Sequence, residues 1–316
     1  MLKNKSENLN LGILYVIAGA SSYGMLATIV KTAYKKGFST AEVTIAQYVI
    51  GILCLLLLTS LSKRKVKLLP NERMQLLLAG VSFGLTSVLY YISISFINAS
   101  IAVVLLMQSV WIGVVIEAIK TKTFPNLKKI IAVIMVLLGT LLATNALASG
   151  MGNLDVRGLI FGFLAAISFS LVLFSTNSVA THLPPAKRSL YMLYGGSFVV
   201  VVLSLLTQIL PYYLGIQLVP DSFVSAKALD LSLLLNWGIP IALFGTVIPP
   251  LMFNKGFPLT GIGLGSILSA FELPVSIAVA FLMLGEIINP TQWLGVVIIL
   301  TAIVLLNVNF KKKLAH

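Results

Sequence analysis

Charge is what this sequence has least of. Of its 316 residues only 9 are Asp or Glu, and charged side chains of either sign make up 10%, against roughly a quarter in a soluble domain. Cysteine occurs once, at Cys54, so no intramolecular disulfide can form and no redox compartment can be read from it. Histidine occurs twice, at His182 and His316, which leaves no HExxH or paired-imidazole metal site. There is no GxSxG nucleophile elbow and no phosphate-binding P-loop, and Asp155, Asp221 and Asp230 all fall in connecting segments. These absences argue against hydrolases, metal-diphosphate chemistry and ATP-driven pumps. They predict a chain that is not an enzyme and uses no metal or cofactor.

Long apolar runs are what the sequence has instead. It is 58% hydrophobic with a mean hydropathy of +1.02, and stretches of about 20 apolar residues recur along it, each long enough to span a bilayer. We read ten spans: 11–30, 40–61, 74–97, 100–119, 128–145, 157–180, 188–210, 231–254, 261–284 and 290–309. Lipid offers no hydrogen-bond partners, and these runs are too long and too uniformly apolar for barrel strands, so they are expected as helices. The first follows Lys3 and Lys5 as a signal peptide would. Its apolar region is too long for one and no A-x-A site follows, so it is expected to stay.

The net charge of +13 follows the loops. With the N-terminus in the cytoplasm, seventeen of the 22 basic residues fall inside: Lys3 and Lys5; Lys63, Arg64, Lys65, Lys67 and Arg73; Lys120, Lys122, Lys128 and Lys129; Lys187 and Arg188; Lys255; and Lys311 to Lys313. Lys31, Lys35, Lys36, Arg157 and Lys227 fall outside. This is the positive-inside pattern, with both termini cytoplasmic in the cell (inner or plasma) membrane. The KRKVK run at 63–67 is then an orientation signal near anionic lipid rather than a nucleic-acid site. Residues 211–230 are the one connection of any size and are expected as an outer amphipathic cap.

The chain also resembles itself. Residues 12–58 align with 158–204, placing Tyr23 on Phe169 and Lys31 on Asn177. Residues 89–107 align with 250–268, placing Phe96 on Phe257, and Pro125 aligns with Pro290. Five spans per half is an odd number, so the second half enters the membrane from the opposite side. The expectation is an all-α integral membrane protein of two inverted five-helix repeats, 1–150 and 151–316, around a cavity that opens to either side in turn.

The segment FELPVSIAVAFLMLGEIINPTQWLGVVIILTAIVLL, 271–306, resembles the closing signature of the EamA domain of the drug/metabolite transporter superfamily. Glu272, Pro274, Val275, Leu284, Gly285, Glu286, Pro290, Gln292 and Gly295 occupy the signature places, and GASSYGMLATIVK, 19–31, resembles the family's opening helix. The first half departs from it: Trp111 and Gly113 stand where Glu272 and Pro274 stand, Lys120–Thr121 replace the Gly-Glu pair, and Gln47 occupies a frequent Arg position. The resemblance implies a two-EamA transporter for small solutes such as amino acids, nucleosides, sugars or drugs, moved mostly outward.

Transport needs polar groups near the midplane and helices that bend. Tyr23, Tyr90, Gln108, Trp111, Asn177, Asn254, Ser269 and Glu272 are the expected cavity residues, and Pro249, Pro250 and Pro274 the expected hinges. A proline leaves the carbonyl of residue i−4 without its helical donor, and interrupted helices point to transporter binding sites. An intramembrane carboxylate such as Glu272 is costly enough to be functional by default; it would bind an ammonium, take up a proton or accept hydrogen bonds at the kink. GxxxG spacings at Gly80–Gly84, Gly158–Gly162 and Gly261–Gly265 are expected to let helices approach. The function expected is a secondary carrier exporting small metabolites such as amino acids, proton-coupled or facilitative, as a monomer or homodimer. The alternatives are a facilitative or channel-like permease for sugars, nucleosides or drugs, and a membrane scaffold.

Overall fold

The computed structural model describes residues 2–62, 66–97, 99–146, 155–285 and 287–314. Lys63, Arg64, Lys65, Glu286, His316 and the junction of the halves at 150–151 lie outside the described residues, as do the side chains of Lys3, Lys5 and Lys311 to Lys313. No strand occurs among the described residues.

The first half holds α1 (Leu2–Lys35), α2 (Thr40–Ser60), α3 (Pro70–Phe96), α4 (Ala99–Leu106), α5 (Ser109–Thr121) and α6 (Leu127–Ala143). The second holds α7 (Val156–Ser178), α8 (Pro185–Ser204), a π-helical turn at Leu205–Leu214, α9 (Ser232–Asn236) and α10 (Gly238–Ala242). A second π-helical turn at Leu243–Val247 follows, then α11 (Ile248–Thr260), α12 (Ile262–Ser269), α13 (Glu272–Leu284) and α14 (Pro290–Leu314).

Among the described residues seven stretches are long and apolar enough to cross a membrane, the broken pairs α4–α5 (from Ile101) and α12–α13 (to Met283) each counting as one, and Pro290–Leu306 is a shorter apolar helix. Of the other spans expected from sequence, 128–145 is the 17-residue α6, and 231–254 is interrupted at Trp237 and again by the π turn. Leu53, Leu57, Leu164, Phe198 and Leu282 present bare apolar surface, the surface a bilayer covers. The helix expected to stop at 210 runs on through its π turn to Leu214, so Pro211, Tyr212 and Tyr213 belong to it. The loop begins at Gly215, whose φ of +64 is glycine territory.

Prolines shape these helices, and carbonyls beside several of them find other donors. In the π-helical turn that holds Pro211, the Thr207 carbonyl accepts Ser225 N–H from the following loop at 2.8 Å. In the π register (i→i+5) Pro249 stands opposite Phe244 rather than Gly245, and the Phe244 carbonyl accepts the Ser22 hydroxyl of α1 at 3.0 Å. Pro258 frees the Asn254 carbonyl, which accepts Nη1 of Arg188 at 2.9 Å. Pro274 frees Ala270, whose carbonyl takes Leu273 N–H at 3.2 Å in a tighter turn. Unpaired carbonyls at membrane depth would each cost several kcal/mol, so these four bonds make the bends permissible.

Packing between the halves is nearly unchanged when the halves are exchanged. α3 lies on α7 as α11 lies on α1; α3 lies on α8 as α10 and the π turn at Leu243–Val247 lie on α2; α6 lies on α14. One pair breaks the pattern: α5 packs along α12, whereas the exchanged pair, α13 and α4, barely touch. The seam between α3 and α8 is made of glycine. A Cβ at Gly84 would stand 2.7 Å from the Gly196 carbonyl oxygen, and one at Gly195 would meet the Leu77 carbonyl. The spacing at 261–265 does something else: Gly261, at φ +79, ends α11 and turns the chain into α12.

The loop after Leu214 is tied down by Glu42, in the first turn of α2 and 1% exposed. Its carboxylate accepts Lys227 Nζ at 2.7 Å, Ser39 N–H at 2.7 Å, Asp230 N–H at 2.8 Å and Gln208 Nε2 at 3.0 Å. A buried charge needs such full satisfaction, and here it joins the two halves.

Candidate functional site

The unequal pair marks the site. Where α4 and α13 face each other the fold leaves a cavity of about 380 Å³, within the range of small-molecule pockets. Val103 and Leu106 of α4 line one wall, and Glu272, Leu273, Ser276, Ile277 and Ala280 of α13 line the other. α1 contributes Tyr23, Thr28, Lys31 and Tyr34; α3 contributes Phe83, Thr86, Ser87, Tyr90 and Tyr91; α7 contributes Phe169; α14 contributes Gln292. Lys31 is exposed, so the cavity opens at the ends of α1 and α13.

The fourth span of each half is broken in the same way. α4 and α12 are each 8 residues long, two residues then leave the helix, and α5 and α13 are each 13 residues long. Both second pieces end on a left-handed residue, Lys122 (φ 53) and Gly285 (φ 64). The helices that follow are capped alike: Lys129 and Ile130 N–H donate to the Asn126 carbonyl, Gln292 and Trp293 N–H to that of Asn289. This register corrects the sequence alignment by two positions, pairing Glu272 with Ser109, Pro274 with Trp111 and Gly285 with Lys122. Because Val103 and Ala280 share the open end, spans 101–121 and 262–283 run in opposite directions.

Glu272 is the first residue of α13. The unbonded N–H groups and positive dipole end of a helix start favour a carboxylate there. Among the described residues no hydrogen-bond or ion-pair partner meets this side chain. Around it stands an aromatic wall. The Tyr23 and Phe169 rings lie 6.3 Å apart edge to face, and Tyr91 lies 6.1 Å from both Tyr34 and Tyr90. A carboxylate in a cavity lined by aromatic rings suits a cation with apolar substituents.

Of the residues singled out from sequence, Tyr23, Tyr90 and Glu272 meet in this cavity. Gln108 sits in the α4–α5 break, giving Nε2 to the Val104 carbonyl at 3.0 Å and accepting Trp111 Nε1 at 2.9 Å. Asn177 bonds Ser178 at 3.2 Å, and Ser269 bonds the Ser266 carbonyl at 2.7 Å. Asn254 donates to Ser189 Oγ at 2.9 Å behind α11. Pro249 and Pro250 are buried at the start of α11, and Pro274 lies in the first turn of α13 just past its break. Tyr34, Thr28 and Gln292 were not singled out for the cavity; Tyr34 follows Lys31 by one helical turn, which is the signal that would have found it.

Arg188 was counted as a loop charge, yet it is 1% exposed. Besides the Asn254 carbonyl it holds the Thr176 carbonyl at 2.6 Å and that of Ser175 at 3.3 Å. Those two end α7, where the helix dipole favours a cation.

The sequence matches the EamA-like transporter family over residues 10–145 and again over 156–308. No curated protein matches it. A solved structure titled "Crystal structure of protein" shares the fold, with a TM-score of 0.75 at 13% identity over 95% of this chain and 98% of that one.

Proposed function

The chain belongs to the EamA-like transporter family, and from that premise we propose a secondary carrier that exports small amine-bearing metabolites such as amino acids by alternating access. It is a multi-pass membrane protein in which the two halves, 1–150 and 151–316, rock about the cavity. Both termini face the cytoplasm, because sixteen basic residues besides the buried Arg188 then lie inside. The observation that carries the reading is Glu272, an unpartnered carboxylate at the start of a broken helix, inside an aromatic cavity open to one face. Glu272 receives the ammonium, Tyr23, Tyr90 and Tyr91 cover the apolar part, and emptying of the site lets Glu272 take up the proton that couples the return step. One chain supplies both halves, so a monomer suffices.

Reconstitution into sealed vesicles tests this. Saturable flux of a mixture of amino acids is expected, driven by an imposed proton gradient. Glu272→Gln is expected to lower it at least about tenfold, ~1.4 kcal/mol of lost stabilisation, and to flatten its pH dependence. Equal flux and equal pH dependence in the variant would remove Glu272 from the mechanism. Flux that rises linearly without saturating would replace the carrier by a channel.

A further inference from the structure

The face opposite the cavity is shut where α5 meets α12. Glu117, near the end of α5, pairs with Lys129 in the first turn of α6, and both are largely buried. The pair sits on the turn that opens α12. A Cβ at Gly261 would lie 3.3 Å from Glu117 Oε1, and one at Gly263 would lie 3.1 Å from Lys129 Nζ and collide with the Glu117 carboxylate. The first half thus presses an ion pair against a glycine turn of the second. Gly263 and Ala280 stand near opposite ends of one span, Ile262–Met283, so this contact and the open mouth are on opposite faces.

The register of the halves gives each member of the pair a counterpart. Glu117 corresponds to Ala280 and Lys129 to Gln292, through the matched 13-residue helices and the matched Asn caps. Both counterparts line the open cavity. An alanine and a glutamine form no ion pair, so closing the cavity face gains nothing equivalent to what the opposite face has when closed. We propose that Glu117 and Lys129 are the latch of the transport cycle: they hold the opposite face shut, bias the carrier toward the state with its cavity open, and must part from the α12 turn for the solute to cross. This rests on the alternating-access reading. The latch acts by position and does not touch solute.

The test needs no known substrate. Cys54 is replaced by serine, and single cysteines are placed at Ala280, in the cavity, and at Ser266, buried against Gly113 on the shut side. Each is labelled with a membrane-impermeant maleimide from either side of sealed vesicles. Glu117→Gln is expected to raise labelling at 266 about tenfold and lower it at 280, a coupling of ordinary allosteric size. The exchanged pair, Glu117→Lys with Lys129→Glu, is expected to return both rates toward their starting values, which a merely misfolded protein would not do. If both probes react in the parent protein and Glu117→Gln shifts neither, the latch is wrong and alternating access stands. If the 266 probe stays unreactive in every variant, both are overturned.

Discussion

Arg188→Met is expected to lower the unfolding temperature of the detergent-solubilised protein by about 6–12 °C. The guanidinium is the donor for three backbone carbonyls, at 2.6, 2.9 and 3.3 Å. Leaving a buried acceptor unmet costs about 1–3 kcal/mol, so three would reach ~6 kcal/mol by simple addition. Removing a buried charge is itself favourable, which offsets part and leaves about 3 kcal/mol. For a chain of this size that is the stated fall, at roughly 2–4 °C per kcal/mol. Arg188→Lys is expected to recover only part, because one ammonium cannot reach acceptors on α7 and α11 together. An unchanged or raised temperature for Arg188→Met would mean that these carbonyls have other donors available. Whole-cell flux is expected to fall with protein abundance and not per molecule, since Arg188 lies outside the cavity lining.

Gly195→Val is expected to cost more than 3 kcal/mol, enough to prevent accumulation in the membrane. The added Cβ meets the Leu77 carbonyl and stands 3.0 Å from the Cα of Gly80. These are backbone atoms, so no rotamer change relieves the clash and α3 must part from α8. Gly195→Ala and Gly80→Ala are each expected to cost about 1–3 kcal/mol. Together they are expected to cost less than their sum, because the helices separate once. Thermal unfolding of the two single variants and the double variant measures this; strict additivity would place the two glycines on independent contacts.

Much of this architecture is written locally and so was legible. Apolar length marked the helices, Pro274 stood beside the broken one, and Glu272 stood out because a carboxylate there is costly. The break in the first half was invisible: Gln108 satisfies the Val104 carbonyl through its side chain, with no proline to announce it. The alignment of the halves slipped by two because Leu, Val and Ile match one another at any offset. The true register shows only in the caps at Asn126 and Asn289 and in the turns at Lys122 and Gly285. Arg188 was read as an interfacial charge because its need arises elsewhere, seventy residues along at Pro258. Gln108, Asn177, Asn254 and Ser269 are polar inside spans, and such residues look alike whether they meet a solute or a neighbouring helix. In three dimensions Ser189 engages Asn254 and the Val104 carbonyl engages Gln108, whereas Tyr23, Tyr90 and Glu272 line the cavity.

Neither α2 nor α8 contributes a side chain to the cavity. They carry the Glu42 anchor, the glycine seam and Arg188, while most of the cavity wall falls to α1, α3 and α13. α3 serves both, with Gly80 and Gly84 toward α8 and Thr86 and Tyr90 in the cavity lining, as does α7, which lends Phe169 to the lining and the Ser175 and Thr176 carbonyls to Arg188. Under the proposed function, natural variation can therefore retune what is carried along α1 and α13 without loosening the scaffold, and changes on α3 or α7 will most often exchange one property for the other.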